Sequence, residues 1–226
     1  MDVKLNYIEK GRGDVLILLH GNGEDCSYFE HQIDYFSEFY RVIAIDTRGH
    51  GKSSRGNKPF TIRQFAEDLY DFMCEHNIVK ANILGFSDGG NIALYFSLKH
   101  SDMINRLILN GANLNPSGVK ARVQLPIVIG YGFVKLFRNK SEEALRNYEL
   151  LSLMVNEPDI LPEDLLAIKN RTLVIAGSND MIKESHSRLI AESLPEGELI
   201  ILDGDHFIAN KNYTQFNKTV SDFLLR

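Results

Sequence analysis

A doubly wound, mostly parallel β-sheet with helices on both faces and a small helical cap is predicted by three observations. Strand-like runs alternate with amphipathic helical patterns along most of the chain. Those runs are apolar almost throughout, as parallel strands covered on both faces must be. The rhythm breaks once, between Pro116 and about Leu166, where helical patterns occur without a good strand. With 226 residues, 44% of them hydrophobic, the chain can bury one substantial core. We therefore expect a single α/β domain over residues 1–226 with a helical cap inserted at about 116–166.

Val3, Leu5 and Tyr7 alternate with polar neighbours, and Gly11-Arg12-Gly13-Asp14 turns the chain into the apolar run Val15 to Leu19; the pair reads as a hairpin. Phe29, Ile33, Phe36 and Phe39 recur at helical spacing and predict a helix from Ser27 to Phe39. A buried strand follows at Arg41 to Ile45. Thr61 is placed to cap a helix bearing Ile62, Phe65, Ala66, Leu69, Phe72 and Met73 on one face. Strands at Lys80 to Gly85 and Arg106 to Leu109 enclose a helix beginning near Asn91. In the cap, helices are expected at Val119 to Phe137 and Ser141 to Val155, with a short turn after Pro162. Strand, helix, strand and closing helix then resume at Arg171 to Ala176, Lys183 to Leu194, Glu198 to Leu202 and Tyr213 to Leu224.

Composition narrows the function. A formal net charge of -5, with no block of Lys and Arg, argues against nucleic acid as a partner. The first residues alternate with charges and lack the apolar core of a secretory signal, so a cytoplasmic location is expected. The longest apolar stretch, Leu125 to Phe137, contains Gly130, Gly132 and Lys135 and is too short to span a bilayer, so no membrane partner is expected. Cys26 and Cys74 lack metal-site or redox spacing and are read as reduced thiols. No metal or organic cofactor is implied.

The chemistry is concentrated in the loops that follow strands. Gly85-Phe86-Ser87-Asp88-Gly89 joins a strand to a helix and matches G-x-S-x-G, a sharp turn that holds a serine hydroxyl above the sheet edge. Ser87 is the candidate nucleophile. Such a serine needs a base and a carboxylate to orient it. In chain order after the serine these are Asp180, in the loop after the first strand beyond the cap, and His206, in the loop after the last strand. Oxyanion donors are expected from the backbone NH groups of Asn22, in the His20-Gly21-Asn22-Gly23 loop, and of Asp88. His20 is read as a brace for its loop. Asp88 leaves two readings open: attraction of a cationic substrate group, or capping of the helix that follows. Gly51-Lys52-Ser53 invites a phosphate-loop reading, but that motif needs glycine where Asp46 stands. His50 is read as holding this loop instead.

These motifs resemble the α/β-hydrolase superfamily over nearly the whole chain. His20 to Gly23 is similar to its oxyanion loop, and Asp46-Thr47-Arg48-Gly49-His50-Gly51-Lys52-Ser53 to its D-x-R-G-x-G-x-S signature. Gly85 to Gly90, Gly177 to Asp180 and Gly204 to His206 are similar to the elbow, acid and histidine loops. Ser87-Asp88-Gly89-Gly90 followed by Gly111-Ala112-Asn113 also resembles small carboxylesterases of the valacyclovir-hydrolase kind. The resemblance implies a serine hydrolase of small-molecule carboxylic esters acting through an acyl-enzyme. Carbon–carbon hydrolysis, lactone opening and acyl transfer remain open on the same triad, as does a receptor of the same fold without turnover. A serine rather than an aspartate at the elbow argues against dehalogenase or epoxide-hydrolase chemistry. Oligomeric state stays undetermined.

Overall fold

A computed structural model describes residues 2–226. Seven strands form one sheet: β1 (Tyr7–Lys10), β2 (Val15–Leu19), β3 (Arg41–Ile45), β4 (Ala81–Phe86), β5 (Ile104–Asn110), β6 (Arg171–Gly177) and β7 (Gly197–Leu202). Their spatial order is β1-β3-β2-β4-β5-β6-β7, with β1 antiparallel to β3 and every other pair parallel.

Because strand side chains alternate between faces, each parallel strand feeds two cores. Ile17, Ile43, Ile83, Leu107 and Val174 point to one face, where α2 (Ile62–Glu75), α3 (Asp88–His100) and α6 (Glu184–Ser193) cover them. Leu16, Leu18, Val42, Leu84 and Ile108 point to the other, against α1 (Glu30–Phe36) and the helices near the carboxyl terminus. The other helices are α4 (Ala121–Phe137), α5 (Glu142–Asn156), followed by a 3-10 turn at Pro162–Ala167, and the short α7 (Ile208–Lys211) before α8 (Tyr213–Leu224). The helical segment α4 to Ala167 lies between β5 and β6, where the strand rhythm breaks.

The expected hairpin is not formed. β1 pairs with β3, Tyr7 opposite Ile45 and Lys10 opposite Val42, and β2 lies one strand further in. The burial patterns give the reason. β2 is sealed on both faces and takes a strand on each side, whereas β1 is largely exposed and suits an edge. The turn between them passes over the end of α1: a Cβ on Gly11 (φ +84°) would lie 2.2 Å from the Tyr40 carbonyl oxygen. The helix expected to reach Phe39 stops at Phe36, and Phe39 is 60% exposed. Its first turn is 3-10, capped by Asp25, whose carboxylate accepts from the Ser27 NH at 2.8 Å. Thr61 caps α2 as expected, accepting from the Gln64 NH at 3.1 Å.

The strand order reverses between β2 and β4: connections leave β2 toward β3 and leave β4 toward β5. In open α/β sheets the crevice beyond the carboxyl ends of such a pair receives ligand. The loop after β2 and the turn after β4 meet there.

Candidate active site

Ser87 occupies the strand-to-helix turn at φ 51°, ψ -119°, a left-handed conformation costly for a residue with a Cβ. Packing on both sides imposes it. A Cβ on Gly85 would lie 2.3 Å from the Gly89 carbonyl oxygen, and one on Gly89 would lie 2.0 Å from the Leu19 carbonyl oxygen at the end of β2. Only glycine lets strand and helix approach so closely, and the result lifts the serine hydroxyl above the sheet.

The loops after β6 and β7 bring two more side chains to that hydroxyl. His206 Nε2 is 3.0 Å from Ser87 Oγ, and His206 Nδ1 is 2.7 Å from Asp180 Oδ1. The carboxylate oxygen accepts, so the proton sits on Nδ1 and Nε2 is left to accept from the serine hydroxyl. Asp180 is itself fixed: Oδ1 accepts from the Ile182 NH at 2.9 Å and Oδ2 from the Gly177 NH at 3.3 Å. Both His206 and Asp180 are buried. The imidazole rests against Phe86, with ring centroids 4.9 Å apart.

Asn22 and Asp88 join Ser87 in lining one small cavity of about 30 Å³, together with Asn113, Gln124 and Glu157. Asp88 is the first residue of α3, so its NH has no acceptor within the helix. Asn22 Nδ2 donates to the Leu150 carbonyl at 2.9 Å, tying the loop after β2 to α5. His20 braces that loop as expected. Its Nδ1 donates to the Gly21 carbonyl at 2.7 Å, and its Nε2 accepts from the Thr47 NH at 3.0 Å. Burial holds its pKa below the ordinary histidine value, which keeps the brace neutral. His50 Nδ1 bonds the Arg48 carbonyl at 3.0 Å; burial and the nearby His20 bring it down to about 4.

The Asp88 side chain does not cap the helix, since no backbone NH of α3 donates to it among the described residues. Its Oδ1 accepts from Asn91 Nδ2 at 3.1 Å, and its Oδ2 is buried without a partner among the described residues. Burial, and then the neighbouring Glu157, raise its pKa to about 6, against the lowering effect of Asn91. Burial likewise raises Glu157. Asn91 also donates to Asn113 Oδ1 at 3.2 Å and accepts from the Asn113 NH at 2.9 Å, so a polar network backs the cavity.

Sequence reasoning missed Gln124 of α4, Glu157, the extended residue that ends α5, and Asn91, one residue beyond the elbow, none of which belongs to a motif. It also passed over the task of Gly111 (φ +64°): a Cβ there would lie 2.6 Å from His206 Cε1. The D-x-R-G-x-G-x-S stretch proves to be a brace. Asp46 accepts from the NH groups of Cys26 and Lys52 at 2.7 and 2.8 Å, and Ser53 Oγ donates to the Asp46 carbonyl at 2.6 Å. Asp25, Cys26 and Asp46 are the group nearest to a metal-binding constellation among the described residues. The Asp46 oxygens are already engaged, and burial raises the Cys26 thiol to about 12, so the cluster fits a structural role.

Comparison with known proteins agrees with this architecture. The family model for the alpha/beta hydrolase fold matches residues 14–132. The chain is 27% identical over 253 residues to 3-oxoadipate enol-lactonase 2 of Acinetobacter baylyi, covering 100% of this chain and 94% of that one. It is 25% identical over 248 residues to the serine hydrolase BPHL of Homo sapiens, covering 98% and 83%. Among solved structures, the meta-cleavage product hydrolase CumD of Pseudomonas fluorescens IP01 superposes with a TM-score of 0.80 at 26% identity, over 98% of this chain and 94% of that one. The enol-lactonase of Burkholderia xenovorans LB400 shares the fold with a TM-score of 0.83 at 23% identity, over 99% and 97%. With the elbow, the sheet order and the family match in agreement, the chain belongs to the alpha/beta hydrolase fold family.

Proposed function

We propose that the protein is a serine hydrolase of small carboxylic esters, with Ser87 as nucleophile, His206 as general base and Asp180 as the orienting carboxylate. The observation that carries this reading is the relay of 3.0 Å from Ser87 to His206 and 2.7 Å from His206 to Asp180, with the required tautomer fixed by the acceptor at its far end. Ser87 Oγ attacks the ester carbonyl while Nε2 takes its proton. The oxyanion is held by the NH groups of Asn22 and Asp88, the latter reinforced by the start of α3. The imidazolium protonates the leaving alcohol, and the alcohol departs to leave an acyl-enzyme. Water, deprotonated by the same histidine, then releases the acid and restores the serine.

The cavity lining favours a class of substrate. Asp88 and Glu157 face the site, and no lysine or arginine lines it among the described residues. A neutral ester, or one carrying an ammonium group, avoids the repulsion an anionic substrate would meet. The full-length likeness to an enol-lactonase supports a second reading, lactone opening by the same attack. A lactone bearing a carboxylate is disfavoured by the same two acids.

Steady-state hydrolysis of p-nitrophenyl esters of increasing acyl length, an aminoacyl ester and a neutral lactone tests these readings in the wild type and in Ser87→Ala. Turnover of a short neutral or cationic ester that falls about 10⁴-fold or more in the variant is the expected result. Preference for the lactone would select the second reading. Ligand binding without multiple turnover of any ester or lactone would replace both with the receptor.

A further inference from the structure

The helix α4 is apolar nearly all the way round, yet no residue in it is buried. Its inner side, carrying Val123, Gln124, Ile127, Tyr131 and Val134, is partly covered, and the helix packs along α5. The outer side has no cover among the described residues. Leu125, Ile129, Phe133 and Leu136 follow one another at i, i+4, i+8 and i+11, which places them on one stripe. They are 62%, 54%, 64% and 75% exposed. Helices of globular proteins turn such a stripe inward; an outward one of this size marks a contact surface.

Charge identifies the occupant. From Lys120 to Lys140 the chain carries Lys120, Arg122, Lys135, Arg138 and Lys140 and not one carboxylate. Even with Glu142, Glu143 and Arg146 of α5 counted, residues 120–146 stand at +4 in a chain whose net charge is -5. None of the five cations lies within 4.0 Å of a carboxylate among the described residues. Three of them rest on aromatic rings instead: Lys135 at 5.8 Å from Tyr131, Arg138 at 5.1 Å from Tyr148 and Lys140 at 4.5 Å from Phe137. Two of the five precede the stripe and three gather at its far end. A second copy seated on this face by a two-fold axis would set the positive patch against itself, which argues against self-association. Apolar side chains along the exposed side of the helix, with cations that pair with no carboxylate toward both ends, match an anionic lipid surface, where the chains enter the acyl boundary and the cations meet headgroups.

We propose that the outer face of α4 docks the protein onto an anionic lipid surface, with the helix lying in the plane of the headgroups. This is a peripheral contact; no helix among the described residues is long and apolar enough to cross a membrane. Gln124, on the inner side of the same helix, lines the cavity over Ser87. Docking thus brings one wall of the candidate active site to the interface, beside esters that partition into lipid.

The chain has no tryptophan, so Phe133→Trp supplies a single reporter. Its emission is expected to shift to the blue on adding vesicles of equal parts phosphatidylcholine and phosphatidylglycerol, far less with phosphatidylcholine alone, and to return toward the free value in high salt. In co-sedimentation with the anionic vesicles, Phe133→Ser/Leu136→Ser and Lys135→Glu/Arg138→Glu should each lose about tenfold or more of the wild-type partitioning. Unaltered circular dichroism and monomer mass in these variants separate loss of docking from loss of fold. Absence of vesicle association by the wild type at low salt overturns the proposal, as does equal association by the variants. A wild-type dimer that Phe133→Ser/Leu136→Ser dissolves, without vesicle binding, assigns the face to a second copy and also overturns it.

Discussion

Gly111 and Asp88 show how single residues shape the candidate site without taking part in the proposed bond making. At φ +64° Gly111 already occupies a conformation that alanine adopts with strain, and its missing Cβ is the space the His206 ring fills. Gly111→Ala is expected to displace the imidazole and lower kcat for a p-nitrophenyl ester by about 100-fold, with near-ultraviolet circular dichroism showing that the protein still folds. Unchanged kcat would mean that the ring has room to retreat without losing Ser87. Asp88 carries a different cost. Its folded pKa of about 6 lies above the ordinary aspartate value, so the native state holds this proton more tightly than the unfolded chain does. The penalty is therefore absent below the unfolded pKa, grows as pH rises toward 6 and is fully present above it. Asp88→Asn should raise Tm at pH 8 and lose that advantage as pH falls from 6 toward 4. A gap independent of pH would show that the carboxylate is not the source of the strain. The motif residues were legible in the sequence because their spacing is local. Glu157, Asn91 and the task of Gly111 were not, since each is defined by what folding places opposite it.

At the scale of elements, the same limit explains the strand pairing. A turn after β1 and an apolar β2 suggest a hairpin, but which strand pairs with β1 depends on where β3 enters the sheet. Element type and order were legible in the periodicity, while neighbour relations at the sheet edge were not. The link between the loop after β3 and α2 is another non-local feature. Arg48 is fully buried, and its Nε and Nη2 donate to Asp68 of α2 at 2.7 Å each, with Asp2 taking the remaining face of the guanidinium. This fork pins the Asp46 to Ser53 brace onto the helix layer. Asp68→Ala leaves a buried cation with only one carboxylate. Equilibrium urea unfolding should show a loss of about 3 kcal/mol, in the range found when one partner of a buried pair is removed. A loss under about 1 kcal/mol would mean that Asp2 and water compensate, and that the fork is dispensable.

For the molecule as a whole, the fold leaves the candidate nucleophile half-buried beneath a narrow cavity. The cavity over Ser87 holds about 30 Å³, far less than a bulky ester occupies, so such a substrate needs the segment containing α4 and α5 to move away from the sheet edge. Two side-chain ties to α5 are among the bonds that restrain that movement. Asn22 bonds the Leu150 carbonyl, and Arg55, in the loop after β3, forms a two-pronged ion pair with Glu149 of α5. The first tie involves a residue proposed for the oxyanion site, so the second is the one to cut. Arg55 is partly exposed, which limits its pair with Glu149 to about 1 kcal/mol, or about a fivefold change in a closed-to-open equilibrium. Glu149→Gln should therefore accelerate covalent labelling of Ser87 by a bulky fluorophosphonate about two- to fivefold, while a small fluorophosphonate gains less. A larger effect on the bulky reagent follows only if opening, rather than reactivity of the serine, controls access. Equal acceleration of both reagents would point to a change at the serine itself, and no acceleration of either would mean that α5 is held by its packing alone.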